Sequence, residues 1–378
     1  MDQFLEFLRS TGFNNIDWRN GVMLVVALAF IFLAVTRDLE PYELLPIGLG
    51  IIIGNLPLTG LTTYDPGAVQ GSGVFGIIFH FGLSFWNFLP PIIFLGLGAM
   101  TDFGPMIANP KTLLLGAAAQ VGIFVAFWGA LATGQFELPE AAAIGIIGGA
   151  DGPTTIFLSA RLAPERLGIT AVIAYSYMAA VAFIQPPLMK IFTTKAEREI
   201  EMRPPREVSR TEKLVFPTLA MIIIILFVPR AAPLIAMFMI GNLFRESGVV
   251  PRLTNAASNE LLNIATIFLM ITVGTQLSAE QVFKTETGII LGLGLVAFSC
   301  GTIGGLLFAK LMNLVLKEKI NPLIGSAGVS AVPMAARISH NVGQEANPRN
   351  FLLAHAMGPN VAGVIGSAVV AGVFISLL

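Results

Sequence analysis

Gly148-Gly149-Ala150-Asp151-Gly152-Pro153-Thr154-Thr155 interrupts an otherwise apolar stretch that runs from Ala141 to Leu162. Proline removes a backbone donor and clashes with the preceding turn, so one continuous helix cannot run through this stretch. A second apolar stretch, 321–338, is broken in the same manner by Asn321, Pro322, Gly325, Ser326, Gly328, Ser330 and Pro333. Irregular backbone at membrane depth survives only where it is buried in protein or lines a wet cavity. Both stretches are therefore expected to be re-entrant hairpins or unwound helices within a membrane protein.

The composition agrees. The chain has 378 residues, 55% apolar and 12% charged, with a mean hydropathy of +0.79. A soluble domain carries roughly a quarter charged residues, so a soluble enzyme is excluded. A membrane-crossing helix needs about 20 apolar residues. The candidates are 21–36, 43–56, 88–100, 112–133, 168–187, 214–228, 232–243, 261–277, 288–314 and 351–378. Gln185-Pro186-Pro187 reads as a helix stop. Residues 1–20 read as an interfacial N-terminal segment, with no cleavable signal. The net charge of −1 says nothing about partners, and no nucleic-acid partner is expected. Cys300 is alone, and His80, His340 and His355 are scattered, so neither a disulfide framework nor a zinc site is expected.

An internal repeat organises the crossings. Pro46 and Gly54-Asn55-Leu56 recur as Pro233 and Gly241-Asn242-Leu243. Ile144, Gly145, Gly148, Pro153 and Ser159 recur as Ile324, Gly325, Gly328, Pro333 and Ser339, all offset by 180. The expected fold is all-α and polytopic, with two repeats of about five crossings and one hairpin each. The first repeat spans 21–188 with hairpin 141–162, and the second spans 214–378 with hairpin 321–338. An odd number of crossings inverts the second repeat, the architecture of transporters whose site lies at broken helices near the midplane. The loop 189–213 carries Lys190, Lys195, Arg198, Arg203, Arg206, Arg210 and Lys213, which makes it cytoplasmic by the positive-inside rule. The hairpin tips are then expected to meet from opposite faces.

The tips carry the chemistry. A carboxylate at membrane depth is costly and marks an ion or proton path, so Asp151 can hold Na⁺ or a proton. Capping the helix that begins at Gly152 is its structural alternative, and the two roles are compatible. The second tip offers neutral oxygens from Asn321, Ser326 and Ser330, and a cation from Arg337. Ser326 can instead bond back to its own helix. Arg337 suits bidentate carboxylate binding, or it can snorkel to the cytoplasmic face. Tyr177 lies mid-helix, where its hydroxyl needs a core partner.

Gly148–Leu162, Asn321–Arg337 and the run Ala346-Asn347-Pro348-Arg349-Asn350-Phe351 through His355, Asn360 and Ala368 together resemble the beta subunits of the biotin-dependent sodium-pumping decarboxylases, which act on oxaloacetate, methylmalonyl-CoA, glutaconyl-CoA or malonate. The resemblance covers nearly the whole chain. It implies a carboxybiotin decarboxylase that exports Na⁺ and consumes a proton. It implies a catalytic set of Asp151, Arg337, Tyr177 and Ser330, carboxybiotin held by Arg337 and Asn321, and Na⁺ held by Asp151, Asn321 and Ser330. It also implies carboxybiotin delivered by a biotin-carrier subunit, a carboxyltransferase alpha subunit, a small membrane gamma or delta subunit, a homo-oligomer within that complex, and a bacterial or archaeal cytoplasmic membrane. A long insert near the N-terminus that some members carry is absent. A Na⁺-coupled secondary transporter or Na⁺/H⁺ antiporter without decarboxylase chemistry is the alternative. A non-catalytic anchor for soluble subunits is a third reading, at odds with polar groups concentrated at the hairpin tips.

Overall fold

The computed structural model describes residue 7 and residues 9–378, so part of the segment 1–20 lies outside the described residues. Among the described residues the chain is helical, without strands. In order, the helices used below are α1 (Trp18–Arg37), α2 (Pro41–Asn55), α3 (Leu89–Met100), α4 (Thr112–Ala132), α5 (Leu138–Gly145), α6 (Gly152–Leu162) and α7 (Leu167–Phe192). They continue as α8 (Arg210–Phe227), α9 (Ala232–Ser247), α10 (Leu262–Thr275), α11 (Thr285–Val315), α12 (Leu323–Ser326), α13 (Met334–Ala346) and α14 (Leu353–Leu377).

Every expected crossing is helical. Six helices among the described residues are long and apolar enough to cross a membrane, and seven if the bent pair Val74–Phe85 and Leu89–Met100 counts as one span. The chain is thus a multi-pass membrane protein. Helices α2 and α9 have only 15 and 16 residues. At 1.5 Å per residue each covers about 22–24 Å, short of a hydrocarbon core of about 30 Å. The expected stop at Gln185-Pro186-Pro187 does not occur, and α7 runs through both prolines to Phe192. Membrane helices tolerate proline where neighbours satisfy the freed backbone. Gln185 is fully buried there and donates to the Ser326 carbonyl at 3.1 Å.

The two sequence repeats pack on each other reciprocally. Helix α2 lies against α10, and α9 lies against α3. Glycine sets both approaches. A methyl group on Gly50 would collide with the Ile271 carbonyl, and one on Gly274 with the Ile47 carbonyl. Gly241 and Gly98 stand in the same relation to Leu95 and Phe238. Small residues that let backbones touch are the usual means of packing helices in lipid, where burial of apolar surface gives no net drive. The repeated asparagines complete the match. Asn55 Nδ2 donates to the Leu277 carbonyl just beyond α10, and Asn242 Nδ2 donates to the Thr101 carbonyl just beyond α3, each at 2.7 Å.

Both apolar stretches with internal glycine and proline are broken. In the first, α5 passes through a 3₁₀ turn, Ile146–Gly149, into left-handed Ala150 and then α6. In the second, α12 is a single turn, and irregular backbone leads from Ala327 to α13. The bent pair of helices turns by 74° near Asn87. Asn87 adopts φ 50°, a left-handed conformation that asparagine tolerates. Its amide donates to the Phe157 carbonyl of α6 at 2.8 Å, which ties the bend to the first broken helix.

Replacing Asn55 or Asn242 by leucine leaves a buried carbonyl without its donor. Each change is expected to cost about 1–3 kcal/mol, read as a lower thermal midpoint in detergent. Unchanged midpoints for both variants would show that these bonds add no net stability.

Candidate functional site

The two breaks touch. The Ser330 backbone N–H donates to the Gly149 carbonyl at 2.9 Å. Asp151 follows at the start of α6 and is 5% exposed. Its Oδ1 accepts from the Thr154 N–H at 3.0 Å, so it caps the helix. Its Oδ2 accepts from Ser367 Oγ of α14 at 2.6 Å. Ser330 Oγ lies 3.3 Å from Ser367 Oγ, which places a serine pair between the second break and the carboxylate. Among the described residues no basic group pairs with Asp151.

Several buried oxygens in the surrounding elements have no hydrogen-bond partner among the described residues: Thr154 Oγ1 on α6, Gln120 Oε1 in α4, Asn360 Oδ1 on α14 and the Tyr175 hydroxyl on α7. An unsatisfied buried polar group costs about 1–3 kcal/mol. A hard cation takes oxygen ligands and would satisfy such groups. Asn360 meanwhile holds the second break in place, its Nδ2 donating to the Ala327 and Val329 carbonyls at 2.9 Å each. Gln120 Nε2 donates to the Gly116 carbonyl at 3.0 Å and to the Gly363 carbonyl at 3.4 Å, and its side chain packs against Gly366 beside Ser367.

The remaining expected site residues lie apart from this cluster. Asn321 is fully buried, but its Nδ2 donates to the Arg198 and Ile200 carbonyls at 2.8 and 3.0 Å. Its Oδ1 accepts from the Leu323 N–H at 3.0 Å. It therefore ties the start of the second broken stretch to the loop after α7 and makes no bond to Asp151. Ser326 bonds back to the Leu323 carbonyl at 2.6 Å and lies 3.1 Å from Ser339 Oγ. The Tyr177 ring packs against Gly294, and its hydroxyl donates to the Leu291 carbonyl of α11. Arg337 is exposed on the first turn of α13, and its guanidinium has no ion-pair or hydrogen-bond partner among the described residues. Pro333, Arg337, Asn341 and Glu345 form an exposed stripe at four-residue spacing, and Glu345 ends it in an ion pair with Lys190 at 2.7 Å.

Ser367, Asn360, Gln120 and Tyr175 were not singled out by sequence reasoning. For two of them a signal was present. Asn360 and Ser367 are seven residues apart, two turns on one face of the apolar helix α14. Polar groups so placed in a membrane helix face the protein interior.

Comparison with known proteins gives one consistent result. Residues 19–378 match the family described as Na⁺-transporting oxaloacetate decarboxylase beta subunit. The chain is 54% identical to a methylmalonyl-CoA decarboxylase subunit beta of Propionigenium modestum, covering 100% of this chain and 99% of the relative. It is 53% identical to a glutaconyl-CoA decarboxylase subunit beta of Acidaminococcus fermentans, with 100% and 99% covered. Identity to a probable oxaloacetate decarboxylase beta chain of Vibrio cholerae is 48%, with 99% of each covered. Asp151, Ser330 and Ser367 thus sit in a chain that belongs to the family of Na⁺-transporting, biotin-dependent decarboxylase beta subunits.

Proposed function

We propose that this chain is the membrane subunit that decarboxylates carboxybiotin and couples the reaction to Na⁺ export, consuming a proton. One observation carries this reading. Asp151 is a buried carboxylate at the contact of two broken helices, without a cationic partner among the described residues, and among unpaired oxygens. A structural carboxylate at that depth would be expected to have a basic partner.

Asp151 holds either a proton or Na⁺. Ser367, Ser330 and the unpaired oxygens of Thr154, Gln120 and Asn360 are suited to assist the cation. The unpaired guanidinium of Arg337 suits a carboxylate, and the polar stripe of α13 marks a wet path to it, since such a stripe is costly against lipid. Carboxybiotin, brought by a partner subunit, supplies that carboxylate and an exergonic loss of CO₂ that takes up a proton. Na⁺ arriving at Asp151 displaces that residue's proton toward the reacting centre. Carrying one charge outward against 100 mV costs about 2.3 kcal/mol. Asn321 supports this as a fastening of the second hairpin to the cytoplasmic loop. Tyr177 acts by fixing α7 against α11.

The reciprocal packing of α2 with α10 and α9 with α3, and the matched bonds of Asn55 and Asn242, support two inverted repeats spanning 21–188 and 214–378. The seven basic residues of 189–213 support a cytoplasmic loop. The partners in this reading are a biotin-carrier subunit, a carboxyltransferase alpha subunit and a small gamma or delta membrane subunit, with several copies of this chain in the complex. The acyl substrate is selected by those partners. The alignment with the Vibrio oxaloacetate chain runs over 429 positions and that with the glutaconyl-CoA chain over 382, so the former carries insertions absent here.

Asp151→Asn is expected to abolish both Na⁺ transport and Na⁺-stimulated decarboxylation in the assembled complex reconstituted in vesicles; full Na⁺-stimulated turnover would refute the site. Arg337→Ala is expected to raise the carboxybiotin concentration needed for half-maximal rate by about tenfold or more, equivalent to a charge-assisted contact of about 1.5–3 kcal/mol. A carrier without decarboxylase chemistry predicts Na⁺ flux in the absence of CO₂ release, which the same vesicles measure.

A further inference from the structure

Helix α7 carries two inward tyrosines, and only one of them is satisfied. Tyr177 donates its hydroxyl to the Leu291 carbonyl. Tyr175, two residues earlier and so on the other side of the helix, is 1% exposed and heads the fully buried side chains by volume. Its hydroxyl has no hydrogen-bond partner among the described residues. Buried tyrosines usually find one, and phenylalanine would fill the same space without the cost of an unpaired phenol.

The neighbourhood of that hydroxyl is specific. A methyl group on Gly152 would lie 2.5 Å from it, so the phenol rests on the residue directly after Asp151. Thr154 Oγ1, on the same first turn of α6, is also buried and unpaired. Asp151 has given one lone pair to the Thr154 N–H and one to Ser367, which leaves further acceptor positions on a carboxylate. The ionisable groups that bear on Tyr175 are Asp151 and, at the start of α2, Glu43 and Glu40. All are acidic. A buried phenol oxygen among carboxyl groups, with no hydrogen-bond partner among the described residues, is suited to a cation.

We infer that the Tyr175 hydroxyl is an oxygen ligand of Na⁺ at Asp151, shared with Thr154. The inference deepens the proposed function and rests on Asp151 being the Na⁺ site.

The test uses the assembled complex and Na⁺ itself. Tyr175→Phe is expected to raise the Na⁺ concentration for half-maximal decarboxylation about tenfold, the effect of one lost ligand worth about 1.4 kcal/mol. The Na⁺-induced rise in thermal midpoint, which needs no turnover, should shrink in parallel. Gly152→Ala, which pushes a methyl group into the phenol, should raise the Na⁺ requirement in the same direction. An unchanged half-saturating Na⁺ and an undiminished Na⁺-induced shift in Tyr175→Phe would overturn the inference. So would failure of Tyr175→Phe to assemble, which would assign the hydroxyl to folding. The two readings fail separately. If Asp151→Asn keeps Na⁺-stimulated turnover, the site itself falls. If Asp151→Asn loses it while Tyr175→Phe keeps wild-type Na⁺ affinity, only the role of Tyr175 falls.

Discussion

A helix that breaks inside a bilayer leaves backbone carbonyls that water cannot reach, and asparagine amides meet that constraint throughout this protein. Asn360 closes the second broken stretch by binding the carbonyls of Ala327 and Val329. Asn321 anchors the start of the same stretch to Arg198 and Ile200. Asn87 holds Phe157 in the helix that Asp151 caps. Asn55 and Asn242 take the loose carbonyls beyond α10 and α3. Without these donors the breaks would be too costly to keep, and without the breaks no carboxylate could stand between the two stretches.

The breaks have a second consequence. Ending α5 before Asp151 and starting α6 after it gives the carboxylate a helix N-terminus to cap. One oxygen is fixed by the Thr154 N–H and the other by Ser367, so both carboxylate oxygens are oriented by the fold. Capping and cation binding were compatible alternatives for Asp151, and the geometry accommodates both. A rigid carboxylate with spare lone pairs and unpaired oxygens around it binds a cation with little reorganisation.

The expected set of site residues divides by distance. Ser330 meets Asp151 through Ser367, and Arg337 stands unpaired on the adjoining polar stripe. Asn321 and Tyr177 are occupied elsewhere, each by backbone carbonyls. Their residue types suit an ion site, but the same types also suit the sealing of helix ends, and local sequence does not distinguish the two uses. Tyr175 and Tyr177 differ by two positions on one helix, and their opposite faces decide which of them rests beside Asp151.

The sequence by itself determined a helical multi-pass membrane protein, two helices interrupted at Asp151 and before Pro333, and a family whose motifs name the carboxylate. Those features are local: apolar run length, and glycine and proline that cannot continue a helix. The tertiary structure alone decided that Ser367, 216 residues from Asp151 in the chain, holds its carboxylate. It also decided that Asn360 seals the second break and that the Tyr175 hydroxyl is left unpaired beside Gly152. Such facts depend on how distant helices pack in three dimensions, and no periodicity along one helix records which partner its polar face will meet.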